Sequence, residues 1–243
     1  MSDSTKVPRR VLAVVIPVCI AGIATATAAV VTFARTPHSL GELLAIAGFF
    51  LVVLVAERYP VPIDGLESAL SLVFVFAVAT IVLFGWQAGV FVAGASAITC
   101  VIIHKPLVRI AYNSSTFALC ALGGGLAVEQ IPGNSTAALI AKVGVCAIIY
   151  ELLNLVLISA AVAANTGQPL VKTTMEAARS TAGPFALMAS ASLMLVVLWQ
   201  RSPALSVALV GPLLAIALYQ RSTFAALRDR GTVVQRGARW FMA

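Results

Sequence analysis

The chain has 243 residues, of which 60% are apolar and 10% charged, with a mean hydropathy of +1.01. A soluble domain carries about 25% charged residues, so 16 Lys+Arg and 9 Asp+Glu cannot coat a water-facing surface. This excludes a soluble enzyme, a disordered chain and a nucleic-acid-binding domain. The +7 balance is instead read as a topology signal of an all-α, polytopic inner-membrane protein.

A membrane span needs roughly 20 mostly apolar residues. In chain order that criterion gives eight, at about 11–33, 40–56, 66–84, 87–104, 112–129, 136–163, 182–199 and 204–220. Breakers fall between them: Thr36-Pro37, Pro60 and Pro62, Lys105-Pro106, Pro132-Gly133, Gly167 with Pro169, and Pro203. The first follows Lys6, Arg9 and Arg10, but its apolar run is too long for a signal-peptide core, so it is expected to stay as a helix. The second is short and runs straight into Glu57-Arg58, and the third has an interfacial character, which leaves seven spans as the fallback. The organisation expected is a cytoplasmic tail (1–10), a helical bundle (11–220) and a basic cytoplasmic tail (221–243).

Charge tests the count. With the N-terminus inside, Lys6, Arg9, Arg10, Arg58, Lys105, Arg109, Lys172, Arg179, Arg221, Arg228, Arg230, Arg236 and Arg239 are cytoplasmic, 13 of the 16 basic residues. Arg35 and Arg201 fall outside, and Lys142 lies within span six. The positive-inside rule asks for this split in an eight-span, N-in/C-in protein, whereas seven spans would expel the Arg-rich tail. The basic face then lies along anionic lipid, with no nucleic acid required.

Residues that carry catalysis are not visible. Cys19, Cys100, Cys120 and Cys146 all fall inside spans without metal-ligand spacing and read as small core residues. His38 and His104 are isolated, and a zinc site needs three or four ligands. No H-E-x-x-H, G-x-S-x-G or P-loop motif occurs. Gly123-Gly124-Gly125 sits mid-span, where it favours close helix approach. Gly85 and Gly89 form a G-x-x-x-G around Trp86, a weak homodimer signal because it opens a helix. The expectation is therefore no enzyme, no cofactor and no metal.

An ionisable group inside a span costs roughly 2.5–3.5 kcal/mol on insertion scales, so each one needs a reason. Lys142 is near enough to the outer end of span six to snorkel. Glu151 lies deeper, with Asn154 three residues on along the same face and Tyr150 beside it. Tyr112 and Asn113 open the polar head of span five, followed by Ser114 and Ser115. Two readings stand. In one, Glu151 and Asn154 bond polar groups on neighbouring helices and hold the bundle together. In the other, Tyr150, Glu151, Asn154, Tyr112 and Asn113 line a small-ligand cavity or a proton-sensitive switch. Pro17, Pro184 and Gly211-Pro212 interrupt spans one, seven and eight and read as kinks.

Several landmarks recur in a known order: Ala56-Glu57-Arg58-Tyr59-Pro60-Val61, Ser68-Ala69-Leu70-Ser71-Leu72-Val73-Phe74, Leu83-Phe84-Gly85, Arg109 with Tyr112-Asn113, and Asn154-Leu155-Val156 before Thr166-Gly167-Gln168-Pro169-Leu170. Over residues 40–175 this resembles the multi-helix N-terminal membrane region of bacterial, especially actinobacterial, signalling proteins that carry a diguanylate cyclase (GGDEF) or HD-type phosphohydrolase domain. Here only about 23 residues follow span eight and neither output motif is present, so the enzyme activity is not carried over. The resemblance implies a stand-alone membrane sensor module. Its outlet would be the tail, where Phe224, Leu227, Gly231, Val234, Ala238 and Phe241 form a heptad-like stripe within residues 222–243. That stripe suits a partner helix or the inner leaflet. The alternative is a small-solute binding or transport protein using Glu151 and Asn154, although no internal repeat is detectable.

Overall fold

The computed structural model describes residues 8–58, 61–62, 69–70, 73–102, 106–133, 135–204 and 211. Among them are six helices: α1 (Arg9–Arg35), α2 (Leu40–Arg58), α3 (Val73–Ile102), α4 (Leu107–Glu129), α5 (Thr136–Thr166) and α6 (Leu170–Arg201). Two-residue segments β1 (Val61–Pro62) and β2 (Ala69–Leu70) pair antiparallel, Val61 opposite Leu70. Five helices, α1, α2, α3, α5 and α6, are long and apolar enough to cross a bilayer. The chain is a helical membrane protein. In hydrocarbon every backbone N–H and C=O must be satisfied within the chain, and helices do so segment by segment.

α4 falls outside that group because of its composition. Its polar head (Tyr112-Asn113-Ser114-Ser115-Thr116) and its glycine run lower its hydropathy. The reason is its position: it packs against α1, α3 and α5, and Tyr112, Ser115, Thr116, Cys120, Gly124 and Gly125 are all buried. A helix surrounded by protein can carry hydroxyls and glycines that a lipid-facing helix cannot. α1 shows the opposite pattern. Only Val15, Gly22, Thr25 and Ala29 are buried, while Ile16, Ile20, Ile23 and Val30 face outward, as a lipid boundary requires.

α3 is a hairpin rather than a rod. Gly85 (φ 86°, ψ 168°) breaks it into limbs of residues 73–84 and 86–102, in a backbone region open essentially to glycine alone. Three contacts show the reversal. Phe49 of α2 touches both Phe76 and Phe84 on the first limb, with ring centroids 6.0 and 6.2 Å away. Five residues further along α2, the Leu54 carbonyl accepts a hydrogen bond from Thr99 on the second limb at 3.4 Å. In a straight helix Thr99 would lie about 22 Å beyond Phe84. A side chain on Gly89 would also strike Ile81, eight residues earlier. The two limbs correspond to the third and fourth spans of the sequence reading, and the break falls where Phe84-Gly85 placed it.

The first limb is the centre of the bundle. Every residue from Val73 to Ile81 is buried, so all sides of the helix meet protein. α3 packs against α1, α2, α4, α5 and α6. Lipid provides no hydrophobic drive between helices, so cohesion comes from close packing. Gly22 of α1 sits directly on Ser115, and Gly125 of α4 on Trp86.

Two boundaries differ from the sequence reading. The third span was expected from 66, but Ala69–Leu70 is extended and the helix begins at Val73. The seventh was expected at 182–199, but α6 starts at Leu170. Its first three turns are a polar helix (Lys172, Glu176 and Arg179 exposed) that a hydropathy window discards. Its 32 residues extend about 48 Å, well over the roughly 30 Å hydrocarbon thickness. α1 and α6 run helical through Pro17 and Pro184. Beyond Ala204 only Gly211 is described, so the eighth span (204–220) and the tail (221–243) lie outside the described residues, as do residues 1–7 of the N-terminal tail.

Candidate functional site

Four of the five residues singled out by sequence, Tyr112, Tyr150, Glu151 and Asn154, are strung along one antiparallel seam between α4 and α5. Its register is fixed at both ends. At one end the Tyr112 hydroxyl donates to the Leu157 carbonyl at 2.5 Å. At the other end Gly124 lies against Cys146, where a Cβ would come within 3.0 Å of Sγ, while Gly123 lies against Leu153. Between these contacts, Cys120 is level with Tyr150 and Thr116 with Asn154. The glycine run thus provides the close helix approach expected of it.

Tyr150 is 1% exposed, with its ring edge-on to Phe74 of α3 at 5.5 Å between centroids. Its hydroxyl has no hydrogen-bond partner among the described residues. Cys120, Cys146, Glu151 and Glu57 lie within electrostatic range of that hydroxyl. Glu151 is half-buried, and the Asn154 side chain hydrogen-bonds its carboxyl. The amide donates there, leaving Asn154 Oδ1 unpaired. Thr116, 1% exposed, lies beside the Tyr112 hydroxyl, and its own Oγ1 completes no hydrogen bond. Asn113 is half-buried, one position round α4 from Tyr112.

Hydroxyls buried elsewhere behave differently. Thr25, Thr80, Ser96 and Ser192 each donate to a carbonyl three or four residues back in their own helix, at 2.6–2.9 Å. That internal bond is how a hydroxyl is tolerated in an apolar bundle. At the seam, Thr116, Tyr150 and Asn154 leave polar atoms unanswered in a place water from the bilayer core cannot reach. Ser159 Oγ is also unpaired, but nine residues from Tyr150 it lies on the opposite face of α5.

The sequence reading missed Glu57. It was taken as a charge ending the second span, but α2 continues to Arg58, and Glu57 lies within electrostatic range of Tyr150. Lys142, by contrast, reaches back past the start of α5, its Nζ donating to the Gly133 carbonyl at 2.8 Å, away from the seam.

No group of three or more His, Cys, Asp or Glu able to hold a metal occurs among the described residues. Cys19, Cys120 and Cys146 are free thiols. His38 fastens the α1–α2 corner. Its ring stacks on Phe33 at 3.8 Å, with Nδ1 2.9 Å from Glu42 Oε1 and Nε2 3.1 Å from the Phe33 carbonyl. His104 lies outside the described residues. The G-x-x-x-G at Gly85 and Gly89 is used within the chain, Gly85 at the hairpin bend and Gly89 against Ile81.

A groove of about 910 Å³ opens between α2, the hairpin tip and the end of α6, lined by Glu42, Phe49, Phe84, Trp199 and Ala204. It is apolar except at the Ser39–Glu42 end, where Glu42 is held by His38. Its wall at Pro203 and Ala204 adjoins the part of the chain outside the described residues, so the functional argument rests on the seam.

No known protein family, characterised protein or solved structure matches the chain. The likeness to bacterial membrane sensor regions is carried by its motifs alone.

Proposed function

We propose that the chain is a non-catalytic membrane module of sensor type that binds a small ligand at the α4–α5 seam. One observation carries this reading: Tyr150 OH, Thr116 Oγ1 and Asn154 Oδ1 are each buried without a hydrogen-bond partner among the described residues, within about one helical turn along the same seam, and the half-buried Glu151 adjoins Tyr150 in sequence. Each unpaired buried polar group costs about 1–3 kcal/mol. A ligand that answers them recovers that cost on binding, so the bound and free states differ in free energy, as any sensor requires.

In this proposal the bundle has eight spans with both termini at the cytoplasmic face of the bacterial inner membrane. The 13-of-16 distribution of basic residues supports that orientation. The α3 hairpin fits it too, because a chain that turns back at Gly85 leaves on the side it entered. Residues 222–243 are the outlet to a signalling partner or to a second copy of the chain.

Native mass spectrometry of the full chain, extracted from its own membrane in mild detergent, tests the proposal. We expect a retained ligand mass or a mass-encoded binding response that Glu151→Gln abolishes, and a protein partner lost on deleting residues 222–243. A ligand profile identical in wild type and Glu151→Gln would sink it.

A second reading, solute capture or transport, rests on the same Glu151–Asn154 pair at mid-bundle. Uptake of the identified ligand into proteoliposomes, lost in Glu151→Gln, would favour it over sensing.

A further inference from the structure

We infer that the end of the bundle at which α1, α4 and α6 begin is a docking surface for anionic phospholipid headgroups, the phosphate diesters of the leaflet it faces. This surface uses no atom of the α4–α5 seam and is independent of a ligand there. Contacts fix which residues share the end. α4 and α5 are antiparallel, through Tyr112 with Leu157 and Gly124 with Cys146. α1 runs parallel to α4, with Gly22 on Ser115 and Cys19 in electrostatic range of Tyr112. α6 follows α5 after residues 167–169 and so starts where α4 starts. That end holds Arg9, Arg10, Arg109, Lys172 and Arg179, with Glu176 and, closing α2, Glu57-Arg58. The opposite end holds Arg35, Lys142 and Arg201 against Glu42 and Glu129, so positive charge is concentrated at the first.

Surface chemistry then names the partner. Arg9, Arg10, Arg109, Lys172 and Arg179 are all exposed, and none is in an ion pair among the described residues. Exposed aliphatic side chains stand beside them. Pro106-Leu107-Val108-Arg109 opens α4 and Pro169-Leu170-Val171-Lys172 opens α6, one pattern used twice at the same end. Leu107 is 80% and Val171 77% exposed, and Met175, on the helix face of Lys172 and Arg179, is 53% exposed. Aliphatics gain by leaving water and bases are costly in hydrocarbon, whereas the headgroup–acyl boundary accepts both. Length places these residues there. Arg179 and Arg201 of α6 lie 22 residues apart, about 33 Å, and Arg109 and Glu129 of α4 lie 20 apart, about 30 Å, against a hydrocarbon core of roughly 30 Å. Residues 170–179 therefore extend into the headgroup layer, where charge selects anionic over zwitterionic lipid.

The test is thermal unfolding of the full-length protein in dodecyl maltoside, titrated with dioleoyl-phosphatidylglycerol or with dioleoyl-phosphatidylcholine. A ligand that binds only the folded state raises the midpoint in a saturable, concentration-dependent way. We expect a larger rise with phosphatidylglycerol than with phosphatidylcholine at equal mole fraction, and a smaller difference in high salt. Each base near an anionic surface strengthens binding roughly fivefold. The triple variant Arg109→Gln/Lys172→Gln/Arg179→Gln should therefore raise the half-saturating phosphatidylglycerol concentration at least tenfold. In Arg35→Gln/Arg201→Gln, at the opposite end, it should stay within twofold of wild type. All five positions are exposed, so neither variant empties the core. Equal responses to the two lipids, or a triple variant that responds to phosphatidylglycerol as wild type does, would overturn the inference. A rise with poly-glutamate and none with phosphatidylglycerol would also overturn it and assign the surface to an acidic protein instead.

Discussion

Removing one oxygen atom from either of two tyrosines should shift stability in opposite directions. Tyr150 and Tyr112 are both buried on the α4–α5 seam, at 1% and 5% exposure. The Tyr112 hydroxyl donates to the Leu157 carbonyl, whereas the Tyr150 hydroxyl has no partner among the described residues. Tyr112→Phe deletes a made hydrogen bond and should cost about 0.5–1.5 kcal/mol. Tyr150→Phe deletes a desolvated, unanswered group and keeps the edge-on contact with Phe74. With no ligand bound, it should be neutral or stabilising by about 1 kcal/mol, up to the 1–3 kcal/mol desolvation cost. Tyr150→Ala, which also opens a cavity, should cost about 3–5 kcal/mol. The assay is reversible denaturation in mixed micelles followed by circular dichroism and intrinsic fluorescence. A loss of more than about 1 kcal/mol in Tyr150→Phe would mean that the hydroxyl is satisfied, and the argument for a ligand at the seam would fail with it.

Other variants probe the frame around the seam. Gly85→Ala, at φ 86°, should cost about 1–3 kcal/mol and lower the yield of monodisperse protein by size-exclusion chromatography, because an L side chain is strained there. Gly22→Ala places a methyl group onto the backbone and side chain of Ser115 and should cost about 1–3 kcal/mol in the same unfolding assay. Gly144→Ala meets nothing within 4 Å and should leave the midpoint unchanged or raise it slightly. His38→Ala removes the Phe33 stack and both ring contacts at the α1–α2 corner, and should cost about 1–3 kcal/mol, seen also as faster proteolysis of the 36–39 loop.

The fold was legible where one helix answers to lipid. Hydropathy located α1, α2 and α5 to within a few residues because their exposed faces must be apolar. The breakers at Thr36-Pro37, Pro132-Gly133 and Gly167 all separate helices, Gly167 as a left-handed cap (φ 73°) at the end of α5. Phe84-Gly85 was correctly read as a boundary. That its two sides turn back on each other follows from counting them as separate spans; that the hairpin sits at the centre of the bundle was not legible, because it shows only in burial and in contacts such as Thr99 to Leu54, far apart in sequence. The polar start of α6 was lost for a related reason: its first three turns are helical yet too polar for a span criterion. At the site, the α5 run Tyr150-Glu151-Asn154 was legible because polar groups in a span stand out one by one. That Thr116 stands level with Asn154 depends on the register between α4 and α5, which does not appear in a linear pattern.

The most direct test of the seam as a ligand site is an experimental density map of the protein in a lipid nanodisc made with its own lipids, at a resolution that shows small bound molecules and water. The account predicts non-protein density among Tyr150 OH, Asn154 Oδ1, Thr116 Oγ1 and the Glu151 carboxyl, lost in Glu151→Gln. A seam in which these atoms hydrogen-bond directly to one another or to the chain after Ala204, with nothing between them, would contradict it.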